Sequence, residues 1–501
     1  MDCLNPLQIS FFCPLLPVFL KSVVDSNLMR SSQGNKKVIH FSGICGTGMA
    51  SLAVLLKMRG HHIHGSDENI YPPMSDFLAQ NNIAVQSGFS AKNLETVPDL
   101  IVIGNALSRG NPEVEAVLES KLPYVSMSEL LKEYFICGKT SLVVTGTHGK
   151  TTTSSLLSWV FESAGKKPGF MIGGIAENFG SSCHDGAGDI FITEGDEYDT
   201  AFFDKRSKFL HYHPDQLILN NLEFDHADIF DSLEDITKSF RLVLRLIPQN
   251  GLIVANGDDD NVKDVLKSAF SPVIKFGLGE ASDVRGVDIK VSESGTKFVV
   301  CNKIQQNYPN SQKFLLKLSG SFNVMNALGV IVIARHNGIS DKQIQAAFDS
   351  FKSVRRRLEL RGEVNGIAVY DDFAHHPTAI RETISAIRQK HPGQRLIAVF
   401  EPRSNTSVRN IHQKALIDSF SEADEVILTE LHRLEDIPPG DRLDIKLVLK
   451  TLIKKNIAAY KFPEVREIIE HLKANCCSRD VVLIMSNGKF DDIHQRFLEA
   501  L

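Results

Sequence analysis

Leu142-Val143-Val144-Thr145-Gly146-Thr147-His148-Gly149-Lys150-Thr151-Thr152 is an apolar, β-branched run that breaks into glycines and then into a helical pattern. That order reads as a buried strand delivering a loop to a helix N-terminus. Each residue type has a mechanical reason to be there. Glycines let backbone amides turn onto phosphate oxygens, the helix N-terminus adds positive potential, Lys150 reaches the terminal phosphates, and the Thr151 hydroxyl reaches magnesium. A full-length phosphate loop has a glycine five positions before Gly149, where this chain has Val144, so the loop is a shortened variant. By itself it implies binding of a nucleoside triphosphate.

Two acidic clusters stand at the ends of later strand-like runs. Thr193-Glu194-Gly195-Asp196-Glu197 closes a run that begins at Asp189, and Asn220-Asn221-Leu222-Glu223-Phe224-Asp225-His226 follows one from Gln216 to Leu219. Singly, each reads as a helix cap or solvated turn. At consecutive strand ends on the loop's side of a sheet, they read as ligands for a hard cation that bridges phosphates.

Upstream, Val38 to Ser42 leads into Gly43-Ile44-Cys45-Gly46-Thr47-Gly48 and a helical pattern, and a second strand ends at Gly65-Ser66-Asp67. Glycines at a helix start with an acid about 20 residues on form a dinucleotide-type pattern, which alone is a weak dehydrogenase signal. Downstream, Val284 to Leu318 reads as antiparallel strands and Asn323 to Arg335 as a helix. Ser353-Val354-Arg355-Arg356-Arg357 reads as a linker, because strands resume at Ile367 to Tyr370, Leu396 to Phe400, Glu425 to Leu428 and Val481 to Met485. The fold class expected is α/β in three domains: a Rossmann-like N-terminal domain, a central P-loop ATPase domain with a parallel sheet, and a C-terminal Rossmann-like domain.

The bulk numbers agree with this reading. A chain of 501 residues with 43% hydrophobic content is too long for one core. Its formal charge of -5 gives no electrostatic reason to expect nucleic acid or an anionic membrane as partner. Eight scattered cysteines fit reduced thiols better than a disulfide framework. The apolar run from Phe11 to Leu20 suggests a signal peptide, but no basic residue precedes it and Pro14 and Pro17 interrupt it. The plainer reading is a disordered or wrongly assigned start, with Met29 as the candidate point of initiation.

Together the shortened loop, the Glu194 cluster, Asp225-His226, Gly320-Ser321-Phe322-Asn323 with Asn326, Arg357, and Asp371-Asp372-Phe373-Ala374-His375-His376-Pro377 resemble the ordered motif set of the Mur ligases. The resemblance runs from Lys37 to the C-terminus. Tyr71-Pro72-Pro73-Met74, Ser108-Arg109-Gly110-Asn111-Pro112, Glu197 to Lys208, Glu223 to Phe230 and Glu401-Pro402-Arg403-Ser404-Asn405-Thr406 are most similar to the branch that attaches a preformed tripeptide.

The resemblance implies a cytoplasmic ligase, monomeric or weakly dimeric, that uses ATP and Mg2+. It would join UDP-N-acetylmuramate to the murein tripeptide L-alanyl-γ-D-glutamyl-meso-diaminopimelate through an acyl phosphate, in peptidoglycan recycling. The division implied is an extension over 1–36, a UDP-substrate-binding domain over 37–137, an ATP-binding domain over 138–354 and a C-terminal ligase domain over 355–501. Lys150, Glu194 and His226 are the expected catalytic residues. ATP would be held by Gly146, Thr147, His148, Gly149, Lys150, Thr151 and Thr152, with Asn323, Asn326, Arg357, Asp372 and His375. Thr151, Glu194 and His226 would ligate metal. Gly43, Gly46, Thr47, Gly48, Asp67, Asn105 and Ser108 would hold the UDP moiety, and Arg403 a carboxylate of the acceptor peptide.

Two positions depart from the family pattern. Several Mur ligases carry a carbamylated lysine 14 residues after the histidine of the Asp-His pair; here Phe240 stands there, and Lys238 lies two residues earlier, so carbamylation is not expected. Phe322 stands where the alanine-adding branch has histidine. The rival readings are that branch, folylpolyglutamate synthase, which lacks such a UDP-binding domain, and a silent nucleotide-binding regulator, which intact Lys150, Glu194 and His226 oppose.

Overall fold

The computed structural model describes residues 36–72, 74–227, 229–304, 309–432 and 437–501. The Phe11 to Leu20 run and Met29 lie outside the described residues. Three sheets organise the chain. The first holds β1 (Val38–Ser42), β2 (His62–Asp67), β3 (Ala84–Ser87), β4 (Leu100–Ile103) and β5 (Tyr124–Ser126), in the order β3-β2-β1-β4-β5. All its pairings are parallel. The order reverses beside β1, which opens a crevice at the strands' C-terminal ends. There α1 (Thr47–Met58) begins, with eight consecutive buried residues from Met49 to Leu56.

The second sheet is built from β6 (Thr140–Thr145), β7 (Gly169–Ala176), β8 (Ser181–His184), β9 (Ile190–Gly195), β12 (Gln216–Leu219), β13 (Leu252–Asn256), β14 (Val273–Gly277), β15 (Val284–Ser292), β16 (Gly295–Asn302) and β17 (Ser311–Leu316). A separate hairpin pairs β10 (Asp199–Ala201) with β11 (Asp204–Ser207). The ten strands run in the order β17-β16-β15-β14-β13-β12-β6-β9-β7-β8. The centre is parallel, and β15 to β17 are antiparallel, as the alternation over Val284 to Leu318 predicts.

Strand β6 is buried on both faces and reads as a continuous apolar run. Two helices cover one face: α2 (Lys150–Ser163) and α4 (Ser321–His336), which pack on each other. Helix α4 is apolar all round because it is wrapped by sheet and helix, with a buried stretch from Val330 to Arg335. Between them in sequence, α3 (Leu233–Leu244) buries Phe240 against Phe209, ring centroids 5.2 Å apart.

The third sheet, β18 (Glu359–Val364), β19 (Ile367–Asp372), β20 (Leu396–Phe400), β21 (Glu425–Leu428), β22 (Ala458–Lys461) and β23 (Val481–Met485), has the order β18-β19-β23-β20-β21-β22. Only β18 runs antiparallel. The linker before it is stitched down rather than free: Val354 bridges to Ala176 and the Arg355 amide donates to the Ile175 carbonyl at 3.2 Å.

The cores show how the units are joined. One apolar cluster runs from the first sheet into the second, and within it Phe135 meets Phe191 with centroids 6.2 Å apart. Arg59 caps that contact, its guanidinium 4.0 Å from the Phe135 ring centre and paired with Asp185 at 2.6 Å. The third unit keeps its own cores on the two faces of its sheet. Truncating a buried Phe costs about 3–5 kcal/mol. Phe135→Ala is therefore expected to lower the melting of the first two units together by that amount and leave a transition of the third unit in place, as read by differential scanning calorimetry.

Candidate active site

The loop after β6 is positioned by sheet register. Thr145 lies beside Gly195 of β9 and beside Leu219 of β12, so Gly146 to Lys150, the Glu194 cluster and the Asn220 cluster emerge on one edge. Gly149 caps α2 at φ 79, and a Cβ there would sit 2.5 Å from Oδ1 of Asn326. Only glycine fits that approach without moving α4. Asn221 accepts the His148 amide at 2.7 Å and Asn220 donates to Thr153 at 3.0 Å. Asn326 in turn donates to Asn323 at 3.2 Å, so the two predicted asparagines brace the loop from α4. Thr147 exchanges contacts with Glu223, accepting its amide at 2.8 Å, and Thr152 is buried in the first turn of α2. With no side chain capping its N-terminus, α2 leaves its first amides for an anion.

Charge converges beside the loop. The Lys150 ammonium donates to Glu197 at 2.9 Å and to the Gly146 carbonyl at 2.7 Å. The same carboxylate takes Nε2 of His226 at 2.9 Å. Burial would push Glu197 up, but Lys150 and His226 outweigh it and hold the carboxyl at about 2. Burial likewise works against a charged His226, yet Glu197 and Asp225 raise it above the usual imidazole range. His226 sits at φ 56, an unusual backbone for a side chain with a Cβ, with its ring 4.1 Å from that of Tyr198. Glu194 differs: its oxygens accept the Gly173 amide at 2.7 Å and the Thr151 hydroxyl at 3.1 Å, and burial, with Asp196, raises it to about 7.

Glu197 belongs to a cluster whose sequence reads as cation ligands, but here it pairs with Lys150 and His226; its position three residues after Glu194 is the signal for it. Thr151 and Glu194 supply adjoining hydroxyl and carboxylate oxygens, a donor set suited to a hard cation. Phe240 is core, and Lys238 pairs at the surface with Asp235 at 3.0 Å, so neither stands near His226 as a ligand.

The third unit closes the rim. The Thr378 hydroxyl donates to Glu223 at 2.7 Å, that of Thr406 to Asp225 at 2.9 Å, and His412 lies 3.1 Å from the Phe224 carbonyl. Arg357 approaches the Thr151 hydroxyl at 3.4 Å, its guanidinium over Phe373. Asp372 accepts the amides of Leu358 and Ala374 at 2.7 and 2.8 Å, and His375 lies 3.0 Å from the Phe373 carbonyl. Arg403 lies against Gly488, where a Cβ would come within 2.5 Å of its side chain, and 3.7 Å from Glu401. Sequence marks Glu223 only as a member of a cation-ligand cluster and gives Thr378, Thr406 and His412 no role, because each contact forms only where two distant units meet.

In the first unit, Gly43 and Ile44 donate to the Ser66 carbonyl at 2.8 and 3.1 Å, and Asp67 accepts the Cys45 amide at 2.9 Å. Gly104 donates to the Ser42 carbonyl at 3.0 Å and lies against Gly43, and Asn105 and Ser108 follow it as exposed residues; among the described residues no hydrogen bond joins them to Gly46, Thr47 or Gly48.

A carboxyl near pH 7 binds protons in competition with a cation. A divalent cation held by Thr151 and Glu194 should therefore bind more weakly as pH falls through about 7, by up to about tenfold per unit. Glu194→Gln should weaken the Mg2+ response and flatten that dependence, as measured by Mg2+ titrations between pH 6 and 8.

Three family domains cover most of the chain. Residues 38–136 match the Mur ligase family catalytic domain, 144–334 the Mur ligase middle domain and 356–488 the Mur ligase glutamate ligase domain. The UDP-N-acetylmuramate–L-alanyl-γ-D-glutamyl-meso-2,6-diaminoheptandioate ligase of Escherichia coli is 42% identical over 92% of this chain and 98% of its own. The UDP-N-acetylmuramate–L-alanine ligase of Endomicrobium trichonymphae is 32% identical over 90% of this chain and 96% of its own. A crystal structure of a murein peptide ligase from Psychrobacter arcticus is similar at a TM-score of 0.70 and 38% identity, covering 93% of this chain and 98% of that one. The parallel sheets, the shortened phosphate loop and these matches lead to one conclusion: the chain belongs to the Mur ligase family.

Proposed function

We propose that this chain joins UDP-N-acetylmuramate to L-alanyl-γ-D-glutamyl-meso-diaminopimelate with hydrolysis of ATP to ADP and phosphate, in the cytoplasm, as a step of peptidoglycan recycling. The observation that carries the reading is the meeting of the phosphate-loop edge with the acceptor loop: Thr406, three residues after Arg403, donates to Asp225 beside His226. The three units divide the work, with UDP on 37–137, ATP on 138–354 and the acceptor on 355–501.

A lactyl carboxylate oxygen of UDP-N-acetylmuramate attacks the γ-phosphorus of ATP and ADP leaves. The tripeptide α-amine then attacks the acyl carbon, and phosphate departs from the tetrahedral intermediate. Lys150, released from Glu197 by the incoming phosphates, neutralises charge on the transferring group. Thr151 and Glu194 would hold Mg2+, and His226, on giving up its ring proton and its contact with Glu197, would ligate a second; such ions would offset phosphate charge. Asn323, Asn326, Asp372, His375 and Arg357 frame the nucleotide, and Arg403 takes an acceptor carboxylate. Closure of the third unit through Thr378 and Thr406 excludes water from the acyl phosphate.

Phosphate release should be seen with the tripeptide and be slight with L-alanine; turnover with alanine alone would make the chain an alanine-adding ligase, and turnover with neither would sink the reading. Lys150→Met should lower kcat by about 10²–10³. Arg403→Ala removes a charge-assisted contact and should raise KM for the tripeptide by about 10-fold or more with kcat little changed.

A further inference from the structure

One buried charge in the first unit is not used by the chemistry just described. Glu113, at the N-terminal turn of the helix Pro112–Ser120, has no solvent exposure. A lone buried carboxylate is costly unless its oxygens are fully hydrogen-bonded. Here one oxygen accepts the hydroxyls of Ser42 at 2.7 Å and Ser66 at 2.6 Å and lies 3.3 Å from Nε2 of His40, while Asn93 donates to the other. Burial acts to raise the group, but these four donors hold it at about 2, so it is ionised at any working pH.

The donors are placed with a purpose. Ser42 is the last residue of β1, directly before Gly43, and Ser66 directly precedes Asp67 at the end of β2. The backbone around these serines carries the contacts that shape the loop, namely the Ser66 carbonyl to the Gly43 and Ile44 amides and the Ser42 carbonyl to Gly104. Glu113 thus ties together the strand ends from which the candidate UDP loops depart, and its own helix follows the Ser108 to Asn111 turn. A neutral amide would replace it poorly, since it offers one accepting oxygen where the carboxylate offers two, and its NH2 group would meet either the Asn93 amide or hydroxyls that must turn round to accept it.

We propose that Glu113 is a positioning residue for the UDP-linked substrate: its carboxylate fixes the Gly43 to Gly48 loop and Asp67 in register for the nucleotide diphosphate. The inference rests on the assignment of UDP to this unit. It separates a preformed diphosphate cradle, held from beneath by an anion that never touches the ligand, from loops that order only on binding.

The test is steady-state phosphate release with UDP-N-acetylmuramate varied at saturating ATP, Mg2+ and tripeptide, alongside hydrogen exchange of the ligand-free protein. Glu113→Gln should raise KM for the UDP substrate about tenfold, leave kcat and KM for ATP within about twofold, and speed amide exchange in Gly43 to Gly48 and Ser66 to Asn69. Ser66→Ala should do the same more weakly. The double variant should fall short of the product of the two effects, because the residues share one contact. If Glu113→Gln does not fold, Ser42→Ala and Ser66→Ala carry the comparison. An unchanged KM and unchanged loop exchange in folded variants would overturn the proposal, as would equal rises in KM for ATP and the UDP substrate. Faster loop exchange in a protein whose wild type does not use UDP-N-acetylmuramate would leave the scaffold role standing and overturn the assignment of UDP.

Discussion

Strand β6 pairs in parallel with β9 on one side and β12 on the other, and the register puts Thr145 level with Gly195 and Leu219. Three loops therefore leave the sheet at one height. Lys150, Glu197 and His226, separated by as many as 76 positions in the chain, come within hydrogen-bond distance because of it. A slip of one residue in either pairing would turn every side chain of the slipped strand to the opposite face and scatter the cluster. The apolar residues on both faces of β6 hold the register, each buried Leu or Val contributing about 2 kcal/mol.

Within that frame two carboxylates three residues apart acquire opposite characters. Glu197 lies between an ammonium and an imidazole and stays ionised; Glu194 sees a backbone amide, a hydroxyl and a second acid, and is poised near neutrality. The first is paired with Lys150 at 2.9 Å. The second keeps its oxygens on the Gly173 amide and the Thr151 hydroxyl. The geometry thus assigns two roles to one acidic run by environment alone.

Mechanical organisation follows from where apolar surface is shared. The first and second units have a continuous core, sealed by Phe135, Phe191 and the Arg59 to Asp185 pair. The third unit has cores of its own and meets the phosphate-loop edge through hydroxyls, carboxylates and imidazoles. Polar contacts of that kind are worth about 1 kcal/mol each and exchange readily with water. A seam so made can part and reform at little cost, unlike the apolar join between the first two units.

Much of this was legible in the chain itself. Periodicity located the α/β units, the glycines and lysine after Val144 placed a phosphate loop on a helix start, and the order of the motifs pointed to the family. These are local properties, written in residues close in sequence. Which partner each charged residue takes was not local. The capture of Lys150 by Glu197, the opposite titration of Glu194 and Glu197, the pairing of Glu223 with Thr378, and the burial of Glu113 under two strand ends all depend on register and on contacts between distant segments. Sequence determined the elements and their chemistry; the tertiary structure decided which charges are buried, and burial decides what a charge can do.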